Sequence, residues 1–261
     1  MIRFIRTIKQ NNYFYLIQQF TITDFKLRYS HSVLGYLWSL LNPLLMFGVL
    51  YFIFSVFMRF GGIEHYQVYL LSGIMLYGFF NETTSSGMTS LFTKSSLLNK
   101  VNFPRIIIPL SSTLTNTITI LLNMVILSIF IAFSGVNVNY SAFFSVLILF
   151  ELIIFSLGVS LFLSAFYLKF RDLQHIWGVL LQLGFWATPI IYPIDIVPIK
   201  YHIIFKINPM ARLIQNFRMV VIMGQVPGLR NIIYNIAMTF LIFFVGFIIF
   251  QKRQKYFAEW L

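Results

Sequence analysis

Long apolar blocks alternate with short polar or charged stretches along this chain, and that alternation is its strongest signal. A helix needs about 20 mainly apolar residues to cross a hydrocarbon core of about 30 Å. The blocks therefore predict spans near residues 36–58, 67–89, 109–133, 143–167, 174–193 and 230–250. An even number of crossings leaves both termini on one side. The expected architecture is an all-α membrane protein with six transmembrane helices: an N-terminal interface segment over 1–30, then a six-span domain over 31–261.

Two segments fit neither a span nor a simple loop. In MIRFIRTIKQ, Ile2, Ile5 and Ile8 alternate with Arg3, Arg6 and Lys9, each set recurring every third residue. On one helix they form two stripes suited to lying in the headgroup plane. So short a helix is marginal alone, so a frayed basic tail is the competing reading. The amphipathic character continues through Phe14, Ile17, Phe20 and Phe25, which would face lipid or the bundle.

The second segment begins at TPIIYPIDIVP, where Pro189, Pro193 and Pro198 interrupt any regular helix. Asn208 then reads as an N-cap and Pro209 as the first helical residue. Met210, Leu213, Ile214, Phe217 and Val221 keep helical spacing, Arg212, Asn216 and Arg218 fall off that face, and Gly224 and Pro227 are stop signals. The whole reads as a re-entrant hairpin between the fifth and sixth spans. Irregular backbone at membrane depth needs protein or a watery cavity to satisfy it, so this hairpin should border a cavity or gate.

Charge sets the orientation. Only 10% of the 261 residues are charged, against about 25% in soluble domains. The 19 Lys and Arg against 7 Asp and Glu could point to nucleic acid, but the cations lie between greasy runs instead of on one solvated face. Arg3, Arg6, Lys9, Lys26, Arg28, Lys94, Lys100, Arg105, Lys169, Arg171, Lys252, Arg253 and Lys255 flank one side of the expected spans. Arg59, Lys200, Lys206, Arg212, Arg218 and Arg230 flank the other. The positive-inside rule places the first set, with both termini, in the cytoplasm. Gln18 and Gln19 break the first greasy stretch and no small-residue cleavage site follows, so no cleaved signal is expected.

Polar residues inside the spans carry the functional clues. Asn81, Glu82, Thr83, Thr84, Ser85 and Ser86 fall in the second span, and Glu151 lies deep in the fourth. A carboxylate at that depth costs at least about 2.5 kcal/mol, so each should face the bundle or water. Ser112, Asn116, Thr119 and Asn123 share one face of the third span. They are either interhelical glue or the lining of a pathway.

Catalytic signals are thin. His31, His65, His175 and His202 have no ligand spacing for a metal, and there are no cysteines to supply one. No G-x-x-x-x-G-K-[ST] phosphate cradle, D-x-D pair or G-x-S-x-G elbow occurs. The energy for any work must come from elsewhere. One cytoplasmic stretch, LLNKVNFPRIIIPLSS, has a stiff basic corner in which Pro104 fixes its own φ and biases Phe103 away from helix. It suits docking in a groove of another protein, or it is an ordinary positive-inside loop with a helix-starting proline.

Five stretches, DFKLRYSHSVLGYLWSLLNPLL (24–45), LLNKVNFPRIIIPLS (97–111), FRDLQHIWGVLLQ (170–182), TPIIYP (188–193) and INPMARLIQNFR (207–218), occur in order across the six expected spans. In these the chain resembles the membrane subunit of type 2 ABC exporters that move lipid-linked polysaccharides such as O-antigen, capsule and teichoic acid. The resemblance implies a homodimer in the bacterial inner membrane, bound to two copies of a separate cytoplasmic ATPase that holds the ATP and Mg. It implies no cofactor in this chain, no enzymatic site of its own and no nucleic-acid partner. It makes the loop after the second span a coupling helix, with Leu98, Lys100, Phe103, Pro104 and Arg105 touching the ATPase, and it places gate helices in the hairpin.

A sugar polymer needs a wide conduit with aromatic walls, whose rings offer broad surfaces with polar tips. Tyr36, Trp38, Tyr51, Tyr77, Phe80, Trp177, Trp186 and Tyr192 are candidates, with Glu82 as a polar member. Trp and Tyr near span ends also form ordinary interfacial belts. Arg28, Arg59, Arg212 and Arg218 would attract the pyrophosphate of a polyprenyl carrier, since guanidinium forks match phosphate oxygens. Two other classes remain open: an ABC permease for a small hydrophobic drug or antibiotic, and a membrane transferase using Glu82 or Glu151. An ion-coupled carrier would need paired broken helices in matching halves, which the sequence lacks.

Overall fold

The computed structural model describes residues 13–29, 35, 37–58, 63–98, 101 and 103–260. The expected stripes at Ile2 to Lys9 lie outside them. The described chain is all-helical: α1 (Tyr13–Tyr29), α2 (Leu37–Phe57, its last six residues π-helical), α3 (Tyr66–Thr93), α4 (Ser95–Leu98), α5 (Ile107–Phe133) and α6 (Phe144–Tyr167). Then come α7 (Leu173–Ala187), α8 (His202–Ile207), α9 (Pro209–Val221), α10 (Leu229–Arg253) and α11 (Phe257–Trp260).

Four of these are long and apolar enough to cross a membrane, namely α2, α5, α6 with its leading 3-10 turn, and α10. α3 has 28 residues, enough for about 42 Å, but its polar run dilutes its hydropathy. The expected fifth span is corrected. α7 ends at Ala187 after 15 residues, about 22 Å, because Pro189 has no N–H to continue the ladder. The apolar count ran on to residue 193 through a segment that is not helical.

α6 is the centre of the bundle, with α3 on one flank and α10 on another. Close approach depends on small residues, as in membrane interfaces generally. A Cβ on Gly246 of α10 would sit 2.0 Å from the Gly158 carbonyl oxygen of α6, and one on Gly158 would sit 2.5 Å from Phe243 Cα. Gly87 of α3 leaves room in the same way for the Ser160 hydroxyl. Glu151 lies two turns before Gly158 on the α10-facing side of α6. It is buried and has no hydrogen-bond or ion-pair partner among the described residues.

A second core gathers at one end of the bundle. Phe103, Ile106 and Ile107 meet Leu161, Ala165, Phe250 and Phe257 there, and α1 covers them with Leu16, Ile17 and Phe20. Thus Ile17 and Phe20 face the bundle, whereas Phe14 points outward. Asp24 and Lys94 pair at 2.5 Å, and Lys94 also sits 4.8 Å from the Phe20 ring, which ties α1 to the end of α3.

The glycine seam yields a direct test. Gly246→Ala should force α6 and α10 apart against a backbone atom that cannot rotate away, lowering stability by about 1–3 kcal/mol. Thermal denaturation in detergent measures this. Gly48→Ala, where the added methyl meets nothing within 4 Å and alanine is the better helix former, should not lower the melting temperature.

Candidate functional site

Helical periodicity places Asn81, Glu82, Ser85 and Ser86 on one face of α3 and Asn116, Thr119 and Asn123 on one face of α5. These two polar faces line a groove of about 1300 Å³. Trp38, Asn42 and Met46 of α2 form one wall, and Leu181, Gln182, Phe185 and Trp186 of α7 form the opposite one. Gly78 and Gly178 leave open space along it, since a Cβ on either would meet nothing within 4 Å.

Arg28, near the end of α1, reaches into this groove. Its Nη1 donates to Glu82 Oε1 at 2.6 Å and to Asn116 Oδ1 at 2.8 Å, joining three helices through one nitrogen. The pair is partly exposed, so it orients the three helices more than it stabilises them. Asn116 Nδ2 donates to Ser86 Oγ at 2.8 Å, and Ser112 Oγ donates to the same oxygen at 3.1 Å. Asn116 is therefore glue and lining at once. Higher up the same face, Thr119 Oγ1 and Asn123 Oδ1 are buried without a partner among the described residues.

Of the aromatic candidates, Trp38, Tyr77 and Trp186 line the groove, as do Glu82 and Arg28. Tyr77 faces it while its hydroxyl donates to the Leu181 carbonyl at 2.6 Å, pinning α7 to α3. Phe80 and Trp177 stand behind the wall. Phe80 stacks on Phe155 at 5.1 Å, and Trp177 Nε1 donates to Thr84 Oγ1 at 3.0 Å. Tyr51 packs between Phe47 and Tyr66 and accepts from Gln67. Tyr192 belongs to the turn after α7: its hydroxyl donates to the Trp186 carbonyl, and its carbonyl accepts from Tyr69. Tyr36, Arg59 and Lys100 lie outside the described residues.

The hairpin carries the largest departure from expectation. Asn208 caps α9 as its position suggested, its Oδ1 accepting from Met210 N at 3.0 Å and Ala211 N at 3.3 Å. Met210, Leu213, Ile214, Phe217 and Val221 are all buried. Arg218 is buried with them, at 1% exposure. Its guanidinium donates to Pro189 O at 2.5 Å, Ile190 O at 2.8 Å and Tyr69 O at 2.9 Å, and lies 3.4 Å over the Tyr69 ring. A lipid phosphate has no access to it, so that role is corrected for Arg218. The broken turn leaves carbonyls that Arg218 from α9 and the hydroxyls of Tyr66 and Tyr69 from α3 share between them, and that drew the arginine inward. Gly73 makes room, since a Cβ there would fall 2.5 Å from Arg218 Nη2.

Arg212 also binds within the chain, to Asn235 Oδ1 at 2.5 Å and over the Tyr234 ring at 4.3 Å, but it remains partly exposed.

At the basic corner, the ATPase contact expected of Phe103 is corrected. Phe103 is buried edge-on against Phe20 at 5.8 Å. Arg105 turns inward, donating to the Gln254 carbonyl with Phe257 beside it. Leu98 packs against the same core, and Pro104 accepts from Ile107 N at 3.0 Å. The exposed apolar side chains of the corner are Leu97 and Val101. Asn42 and Gln182, which also line the groove, are amides set among apolar neighbours of α2 and α7, and that setting is the sequence signal for them.

Comparison with known proteins follows the same lines. The family model described as ABC-2 type transporter matches residues 15–222. An O-antigen export system permease protein of Klebsiella pneumoniae is 33% identical over 248 residues, covering 94% of this chain and 95% of that protein. A Myxococcus xanthus protein of the same description is 29% identical over 262 residues, covering 99% of each. A polysialic acid transport protein of Escherichia coli is 20% identical over 244 residues, covering 92% of this chain and 93% of that protein.

Replacing Arg218 should uncover its carbonyls. Arg218→Met is expected to lose about 3 kcal/mol, the scale for stranding buried partners of a charged group. Arg218→Lys should recover little, because one ammonium cannot reach the Tyr69, Pro189 and Ile190 carbonyls together as the planar fork does. Melting temperatures of the two variants in detergent test this; full recovery by lysine would refute the fork.

Proposed function

The chain belongs to the ABC-2 type transporter family, and from that premise we propose that it is the permease of an ATP-driven exporter of polysaccharide chains. The observation that carries this reading is the long groove with hydroxyl and amide groups on its floor and aromatic rings on its walls. Pyranose rings have apolar faces and hydroxyl rims, so rings and polar side chains together let a glycan slide without trapping it. The names of the relatives, O-antigen export permeases and a polysialic acid transport protein, favour the same cargo class.

α2, α3, α5, α6, α7 with its following turn, and α10 make six crossings, with both termini in the cytoplasm. Two copies of the chain bring their grooves together as one conduit in the inner membrane. Two copies of a separate ATPase dock at the corner between α3 and α5, since this sequence contains no phosphate cradle. Closure of those ATPases tilts the spans through α1 and the corner, while α8 and α9 act as gate. Arg28, with Nε and Nη2 not engaged by Glu82 or Asn116, would meet the carrier phosphate at the groove's inner end.

Leu97→Asp with Val101→Asp should abolish co-purification of the ATPase, because both side chains are exposed. Phe103→Leu, which preserves the buried apolar contact, should leave it intact. Separately, Arg28→Gln should lower polysaccharide export at least several-fold in cells while co-purification stays normal. Normal export in that variant would remove Arg28 from the pathway.

A further inference from the structure

We propose that the groove selects uncharged glycans, and that Thr119 and Asn123 form a subsite for the hydroxyls of a neutral sugar ring. This rests on the polysaccharide reading above and narrows its cargo to one chemical class.

Charge is the first observation. The chain has 19 Lys and Arg and 7 Asp and Glu. Among the described residues one cation and one carboxylate line the groove, Arg28 and Glu82, and they pair with each other at 2.6 Å. The rest of the polar lining is amide and hydroxyl, as at Asn42, Asn81, Ser85 and Gln182. Conduits for anions are ringed by Arg or Lys, because a carboxylate that leaves water needs a counter-charge. From Asn116, which holds Arg28, to Asn123 the helix rises about 10 Å, and no second described cation lines that stretch. A glycan with a carboxylate on each repeat would cross it without compensation. A strongly basic chain that keeps its groove neutral fits a neutral polymer.

Hydrogen bonding is the second observation. On α5, Thr113, Thr115 and Thr117 each donate to the carbonyl four residues back, at 3.0, 2.9 and 2.9 Å. Thr119 lines the groove and does not: its Oγ1 is buried and has no partner among the described residues. One turn further along the same lining, Asn123 Oδ1 is in the same condition. Both residues are more than nine-tenths buried, at 5% and 7% exposure. An amide oxygen only accepts, so its partner must bring a proton. A sugar hydroxyl brings one, whereas an ionised carboxylate is itself only an acceptor. The Thr119 hydroxyl both donates and accepts. Residues one turn apart stand about 5–6 Å from each other, so hydroxyls of one sugar ring can reach both.

The full chain, co-purified with its ATPase in phosphatidylcholine nanodiscs, is titrated with maltohexaose, mannohexaose or hexagalacturonate. Quenching of tryptophan fluorescence reads binding, since Trp38 and Trp186 line the groove. A neutral hexamer should bind, and the acidic one at least tenfold more weakly. Thr119→Val should weaken the neutral hexamer roughly fivefold, the scale of one hydrogen bond. Its melting temperature should not fall, because that hydroxyl bonds nothing within the described chain; this separates binding from a structural role. Asn123→Ala should weaken the neutral hexamer to a similar degree, and if it fails to fold, Thr119→Val still decides. Glu82→Gln, which leaves the charge of Arg28 unmatched, should tighten hexagalacturonate roughly fivefold, the effect of one positive charge at close range. Hexagalacturonate binding as tightly as the neutral hexamers, or wild-type binding of those hexamers by Thr119→Val, would overturn this inference and leave the polysaccharide reading standing. Binding of none of the three would overturn both.

Discussion

The constraint on which the rest depends is the need to satisfy backbone carbonyls where α7 breaks. In a membrane setting no water stands ready for them, and an unsatisfied group costs several kcal/mol. Arg218 meets that need from α9: Nη1 donates to Pro189 O, Nη2 to both Ile190 O and the Tyr69 O of α3, and Nε to Tyr69 O as well. One buried side chain thereby ties the hairpin to the longest helix. The absence of a side chain at Gly73 is part of the same arrangement.

The groove follows from that anchoring. With the turn after α7 clamped to the start of α3, and Tyr77 bonded to Leu181 further along, α7 is held beside α3 at two levels. α2 packs against α3 and α5 instead, and between α2 and α7 the polar faces of α3 and α5 remain uncovered. Polar residues that would be costly against lipid are stable there because they face each other and the groove. Asn116 serves both needs, bonding Arg28 and Ser86 while lining the space between them.

At the other end, α1 works as a strap. It joins the basic corner through Phe20 and Phe103, the end of α3 through Asp24 and Lys94, and the groove through Arg28. Movement imposed on the corner therefore has a short packed route to the groove. The individual ion pairs are weak at their exposure, so the apolar contacts of Ile17 and Phe20 supply the stiffness.

Local signals in the sequence sufficed wherever the cause is local. The apolar blocks set the all-helical class, Asn208 and Pro209 set the start of α9, and the spacing of Met210 to Val221 set its buried face, because capping and periodicity act within a few residues. The polar faces of α3 and α5 were legible for the same reason. Tertiary structure alone decided which of those faces meet, that α7 is too short for a straight crossing, and that Glu151 is buried in the bundle while Glu82 turns to the groove. It also decided that Arg218 and Phe103 point inward: Arg218 answers carbonyls some 28 residues earlier and in α3, and Phe103 answers α1 and the far end of α10. Periodicity counts neighbours along one helix and carries no information about which distant backbone lacks a donor.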